Sequence, residues 1–322
     1  MTTLDAIARP SAAFAMVAMD QRESLRHMFD LAGRGRPDDD VLIDFKVAVA
    51  SELAPYASGF LADRQFGFDR VSAAVPESTG LILAVDALDQ ADGGPVEDTT
   101  LDEDAIAAIP AGVDALKLLL IWRRDERRKA RVALAARFIE VARAHGVLSV
   151  LEPVVRAAPG EDAFDTDAAI REAARELAAL HPDLYKAQVP LAGAGDERAQ
   201  RAASADLDAC MTGPWVVLSQ GVDRDRFADA VRAACLEGAS GFLAGRALWS
   251  DIVGTTDVRE GLRARSVDRL KALGDIVDET ARPWRDWSAG SATGEPGATA
   301  EPGATAEPGT TAEPGASAEP GA

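Results

Sequence analysis

Short apolar segments alternate with longer amphipathic ones along most of the chain, and this alternation constrains the fold more than any other feature. The strand candidates are Phe14–Met19, Ser58–Ala62, Leu81–Val85, Ala115–Trp122, Leu148–Val155, Leu184–Val189, Trp215–Ser219 and Gly241–Ala244. Between them, apolar residues recur at three and four in segments such as Asp44–Leu53, Arg127–His145, Asp167–Leu180 and Arg226–Glu237, the spacing of a helix with one buried face. Eight strand-then-helix units predict an α/β fold, a single (β/α)8 TIM barrel. An open doubly wound sheet would usually have fewer strands and a glycine-rich phosphate turn after the first. Here strand one runs directly into Asp20-Gln21-Arg22-Glu23, without glycine.

The pattern stops near Ser288. Beyond it the chain contains hexads of the EPGATA kind, beginning at Glu295, Glu301, Glu307 and Glu313, with a truncated fifth at Glu319. Proline breaks both helix and ladder, and the repeats offer no large apolar side chain to bury, so residues 288–322 are expected to form a disordered tail after a barrel of residues 1–287. A composition of 47% hydrophobic and 27% charged residues excludes disorder for the whole chain. A formal charge of −19 disfavours nucleic acid and anionic membranes as partners, so an anionic small molecule would have to be met by locally placed arginine, lysine and backbone N–H groups. No apolar run approaches a membrane span and no leader pattern opens the chain, which gives a cytoplasmic reading. Cys210 and Cys235 have neither disulfide nor metal spacing and read as ordinary thiols of a reducing compartment.

In a TIM barrel the C-terminal ends of the strands carry the chemistry. Strand one ends at Asp20, strand four contains Lys117, strand five Glu152 and strand six Lys186, each an ionisable residue among apolar neighbours. Burying a lone charge is expensive, so two lysines and two carboxylates at one rim are expected to satisfy one another. The cluster suits Schiff-base chemistry, because an amine is nucleophilic only when neutral and a neighbouring cation favours that form. Structural alternatives exist: the lysines could snorkel to the barrel end, and Asp20 could be the N-cap of a helix with Glu23 in a capping box. Ser219-Gln220-Gly221 and Gly245-Arg246, at the ends of strands seven and eight, place small residues where backbone N–H groups can approach a phosphate. His27, His145 and His181 lack metal-ligand spacing, so no metal is expected. The cationic run Arg123–Arg131 includes Asp125 and Glu126 and reads as a solvated helix face or a subunit contact.

At these segments the chain resembles the class I aldolases that act on tagatose 1,6-bisphosphate and, more closely, on 6-deoxy-6-sulfofructose 1-phosphate. The resemblance runs through FAMVAMDQRESLRHMF (14–29), DFKVAVASELAPYASGFLAD (44–63), ALKLLLIWRRDE (115–126), LSVLEPVVR (148–156), DLYKAQVP (183–190), WVVLSQGVD (215–223) and ASGFLAGRALWSDIVG (239–254). It implies Lys186 as the Schiff-base lysine, with Lys117, Glu152 and Asp20 as its catalytic neighbours. It further implies a C1 phosphate on Ser219, Gly221, Gly245 and Arg246, and Gln21, Arg22 and Ser24 toward the other end of a sugar phosphate. The family usually has glutamate two positions after the Schiff-base lysine, where this chain has Gln188, which by strand alternation would share a face with Lys186. Such an aldolase needs no cofactor, and the apolar, tryptophan-bearing Ala247-Leu248-Trp249 points to a homo-oligomer.

Overall fold

A computed structural model of the chain describes residues 2–290; the Glu-Pro-Gly repeats lie outside them. Among the described residues ten strands form: β1 (Phe14–Met19), β2 (Gly59–Asp63), β3 (Gly80–Ala84), β4 (Asp86–Gln90), β5 (Val96–Leu101), β6 (Ala115–Trp122), β7 (Leu148–Val155), β8 (Leu184–Ala187), β9 (Trp215–Val217) and β10 (Gly241–Ala244). Eight of them close a parallel barrel in the order β1-β10-β9-β8-β7-β6-β3-β2, while β4 and β5 pair as a separate antiparallel hairpin between β3 and β6. The helices are α1 (Glu23–Phe29), α2 (Asp39–Leu53), α3 (Phe68–Ser72), α4 (Glu103–Ala107), α5 (Arg128–Ala144), α6 (Thr166–Ala178), α7 (Glu197–Asp208), α8 (Phe227–Leu236), α9 (Arg246–Trp249), α10 (Val258–Gly261), α11 (Val267–Thr280) and α12 (Arg285–Gly290). The TIM barrel expected from the alternation is the fold observed. The hairpin is not foreshadowed by that pattern, and α12 continues past the boundary expected near Ser288.

Side-chain alternation sorts each barrel strand into an outer row, packed on the helices, and an inner one. The inner rows hold Phe14, Met16 and Ala18 of β1, Leu61 of β2, Ile82 and Ala84 of β3, Ala115 of β6, Leu148 and Val150 of β7, and Leu184 of β8. Leu4 and Ile7, in a short 3-10 turn before β1, close the N-terminal end of this interior. Two residues further along each inner row stand Asp20, Asp63, Asp86, Lys117, Glu152 and Lys186. Apolar packing fills the bottom of the barrel, and charge is confined to its C-terminal mouth.

Two expectations are corrected. Ala247, Leu248 and Trp249 are buried in the chain's own core, with Trp249 Nε1 donating to the carbonyl of Ala18 at 3.1 Å, so this segment offers no surface to a second subunit. The arginines of the Arg123–Arg131 run pair with acids of the same chain, with Arg131 buried and Arg127 still exposed. Arg123 pairs with Glu97 and Arg127 and Arg131 with Asp98, all on β5, while Arg124 and Arg128 grip Glu172 of α6 at 2.7 and 2.6 Å. The run therefore clamps the β4–β5 hairpin and α6 onto α5. Cys210 and Cys235 are buried free thiols, and burial pushes the Cys235 thiol up to about 12. Among the described residues no helix is long and apolar enough to cross a membrane.

Candidate active site

A cavity of about 280 Å³ opens at the C-terminal mouth, lined on its floor by Asp20, Lys117, Glu152 and Lys186. Each comes from a different strand end, so four ionisable groups remote in sequence converge because the barrel is closed. Lys117 Nζ lies 2.5 Å from Asp20 Oδ2, 2.9 Å from Asp86 Oδ2 and 3.1 Å from Glu152 Oε2. Burial alone would lower the Lys117 ammonium, but Asp20, Asp86 and Glu152 outweigh it and hold the pKa well above its ordinary value. Lys186 Nζ lies 2.8 Å from Glu152 Oε1. Glu152 thus bridges the two lysines. Its Oε2, although near Lys117, is buried without a hydrogen bond in proper geometry.

Asp20 is not a helix cap. The N-cap of α1 is Arg22, with no side-chain capping bond, and Asp20 instead accepts from Lys117. Burial would raise the Asp20 carboxyl, but Lys117, Lys186 and Arg22 hold it below the usual carboxylate range.

Ser219, Gln220, Gly245 and Arg246 form one wall of the cavity. Gly245 is required by a close approach: a Cβ there would sit 2.6 Å from the Ala18 carbonyl oxygen and 2.9 Å from Gln21 Nε2. Gly221, expected at the phosphate, does not line the cavity. Its φ of +82° lets the chain turn, with Val222 N donating to Ser219 O, and so presents Ser219 and Gln220. Among the described residues Arg246 has no ion pair, and burial lowers its pKa against the pull of Glu152 and Asp20.

Gln21, Arg22 and Ser24 also line the cavity. Arg22, however, spends its guanidinium on Asp86, donating at 2.7 Å to the carbonyl oxygen and at 2.8 Å to Oδ1, with Nε 3.9 Å from Asp63 Oδ1. Gln188 does not line the cavity: β8 ends at Ala187, and Gln188 Oε1 accepts from Val155 N at 2.7 Å. Either a carboxylate or an amide oxygen can take that bond.

The inner rows carry two acids, and α2 a lysine, that sequence reasoning missed. Asp86 is 1% exposed and receives bonds from Lys117, Arg22 and the Leu119 amide. Asp63 is ion-paired to the fully buried Lys46 of α2, which also donates to Met19 O at 3.2 Å. Lys46, Arg22, Lys117 and Lys186 are matched by Asp63, Asp86, Asp20 and Glu152. Arg246 and Arg156, both lining the cavity, are left over, so the mouth is locally cationic in an acidic protein.

Residues 14–251, from β1 through α9, match the model of the DeoC/LacD family of aldolases. The chain is a DeoC/LacD family aldolase. It is therefore an enzyme that makes or breaks a carbon–carbon bond. Among relatives of this aldolase is the tagatose 1,6-diphosphate aldolase of Listeria monocytogenes serotype 4a (strain HCC23), 28% identical over 316 residues that cover 87% of this chain and 92% of the relative. The tagatose 1,6-diphosphate aldolase 2 of Streptococcus pyogenes serotype M1 is 28% identical over 302 residues, 84% of this chain and 92% of the relative. The barrel is also shared with solved structures. Fructose-bisphosphate aldolase from Plasmodium falciparum superposes with a TM-score of 0.63 at 14% identity, covering 87% of this chain and 95% of that one. An archaeal fructose-1,6-bisphosphate aldolase, captured with its catalytic lysine bound to the carbinolamine intermediate, gives 0.55 at 14% identity, covering 84% and 96%.

Proposed function

We propose that this aldolase works through a Schiff base on Lys186 and cleaves 6-deoxy-6-sulfofructose 1-phosphate to dihydroxyacetone phosphate and 3-sulfolactaldehyde. One observation carries the choice of lysine: Lys117 is surrounded by three carboxylates that keep it protonated, whereas among the described residues Lys186 pairs with Glu152 alone. An amine must be neutral to attack a ketone, so Lys186 is the nucleophile and Lys117 the standing cation beside it.

In this reading the Lys186 lone pair adds to C2 of the ketose. Glu152, having taken the proton of the Lys186 ammonium it contacts, returns it to the carbinolamine hydroxyl, which leaves as water, and an iminium results. A carboxylate at the mouth, Glu152 or Asp20, takes the proton from the C4 hydroxyl. The C3–C4 bond breaks, its electron pair passing into the iminium to give an enamine, and the aldehyde leaves. The same carboxyl returns its proton to C3, and hydrolysis of the resulting iminium releases dihydroxyacetone phosphate and restores the lysine. Lys117 steadies the hydroxyls and the negative charge that develops on them, and Ser219, Gln220, Gly245 and Arg246 grip the C1 phosphate.

The sulfosugar is favoured by the segments LIWRRDE (120–126), LEPVVR (151–156) and SGFLAGRALW (240–249). The names of the relatives favour a second substrate, tagatose 1,6-bisphosphate. Both substrates share the ketone, the C1 phosphate and an anion at C6, so the chemistry at Lys186 is common to them. Borohydride reduction in the presence of dihydroxyacetone phosphate should fix an adduct on Lys186, with activity surviving a chelator. An adduct on Lys117, or none, would overturn the assignment. The kcat/KM values on the sulfosugar, tagatose 1,6-bisphosphate and fructose 1,6-bisphosphate then rank the substrates.

A further inference from the structure

We propose that Arg156, beneath the β4–β5 hairpin, receives the C6 anion of the substrate and sets the enzyme's demand for a doubly anionic sugar. This rests on the ketose 1-phosphate reading above. Arg156 lines the catalytic cavity together with Gln90, Gly94, Pro95 and Val96 of the hairpin. It lies one residue beyond the end of β7, on the inner row that carries Leu148, Val150 and Glu152, so strand alternation aims it into the mouth. Among the described residues it makes no ion pair, and its Nε is buried without a hydrogen-bond partner. A partly buried guanidinium left in that state is costly unless a ligand satisfies it. Burial indeed lowers its pKa, with Glu97 offsetting only part of the effect.

Position decides between Arg156 and Arg22. In the closed barrel β1 is the immediate neighbour of β10, so Arg22 and the phosphate-binding Arg246 stand on adjacent strand ends. The strand of Arg156, β7, lies three places from β10 in a ring of eight, nearly across the mouth, with Lys186 on β8 between them. A six-carbon sugar held at C2 by Lys186 spans the mouth with an anion at each end. Arg22 is in addition already neutralised by Asp86 and Asp63. Its task is to position Asp86 against Lys117.

The test compares substrates that differ only at C6: 6-deoxy-6-sulfofructose 1-phosphate against fructose 1-phosphate, and tagatose 1,6-bisphosphate against tagatose 1-phosphate. Arg156→Ala should lower kcat/KM for the C6-anionic member of each pair by about 10- to 100-fold, the loss of one charge-assisted contact, and leave the neutral member within about threefold. Arg156→Lys should recover part of the loss. Arg246→Ala should depress both members alike. Borohydride trapping of dihydroxyacetone phosphate, which has no C6, should be normal in Arg156→Ala and shows that the barrel is intact. Normal trapping with equal losses on both members, or with no loss, overturns the role of Arg156 while leaving the aldolase reading standing. Absence of trapping in the unmutated enzyme overturns that reading and this one with it.

Discussion

Replacing Asp86 by asparagine should destabilise the barrel more than any comparable substitution of an exposed acid. Asp86 is held between two buried cations, with Lys117 Nζ on Oδ2 at 2.9 Å and an Arg22 guanidinium nitrogen on Oδ1 at 2.8 Å, and Oδ2 also accepts from Leu119 N at 3.0 Å. Asparagine keeps one acceptor oxygen but turns an NH2 toward one of the two cations, setting donor against donor. Breaking a buried pair by removing one partner costs about 3–5 kcal/mol. Lys117 retains Asp20 and Glu152, and Arg22 retains Asp63, so the lower end applies, about 3 kcal/mol. At roughly 2–4 °C per kcal/mol for a domain of this size, Tm should fall by about 6–12 °C. Urea denaturation gives the free energy, and a double-mutant cycle with Arg22→Met isolates the pair, for which a coupling above about 1 kcal/mol is expected between groups in contact. A cost below about 1 kcal/mol, or additivity in the cycle, would mean that solvent screens this cluster as it screens surface pairs.

Gly245→Ala places a Cβ 2.6 Å from the Ala18 carbonyl oxygen, so backbone must move; a stability loss of about 1–3 kcal/mol is expected, read by urea denaturation, together with weaker binding of dihydroxyacetone phosphate. Gln188→Glu preserves the bond from Val155 N, so the urea midpoint should hardly move and kcat/KM should change by less than about tenfold, the scale of one altered hydrogen bond. Because the Asp20 carboxyl is depressed in the fold, its ion pairing stabilises the protein above the unfolded carboxyl's pKa and is lost as pH falls through the folded one. The stability gap between the enzyme and its Asp20→Asn variant should therefore narrow as pH is lowered below about 4; a gap that widens would show that Asp20 is protonated in the fold.

The barrel was legible because β and α periodicities differ and alternate along the chain, which requires no knowledge of what touches what. Lys117, Glu152 and Lys186 were legible for a related reason: a charge inside an apolar strand is conspicuous. Asp86 follows Val85 just as Asp20 follows Met19, yet it opens Asp86-Ala87-Leu88-Asp89-Gln90, whose polar residues read as a loop. Extending the inner row from Ile82 and Ala84 would have found it. The same extension, applied to Leu148, Val150 and Glu152, reaches Arg156. Lys46 gave no such signal. A lysine on an amphipathic helix normally lies on the solvent face, and only the closure of α2 over β2 brings Asp63 within its reach. The hairpin escaped notice because its outward residues are charged, and the arginines that hold it come from α5 and the segment before it, joined through contacts that sequence spacing does not encode.

The charge distribution reconciles an acidic chain with the anionic substrate proposed for it. Beyond about 10 Å in ordinary buffer, exposed carboxylates are screened and contribute little at the mouth. Within it, four carboxylates neutralise Lys46, Arg22, Lys117 and Lys186, and that neutrality lets so many ionisable groups be buried at the end of an apolar barrel. Among the described residues, Arg246 and Arg156 remain without an ion pair, on opposite sides of Lys186. Had either been paired as Arg22 is, it would hold the fold more firmly and the ligand less. On the proposed assignment, the unmatched arginines are where the protein leaves electrostatic stabilisation for the substrate to complete, and the matched ones are where geometry, rather than attraction, is the requirement.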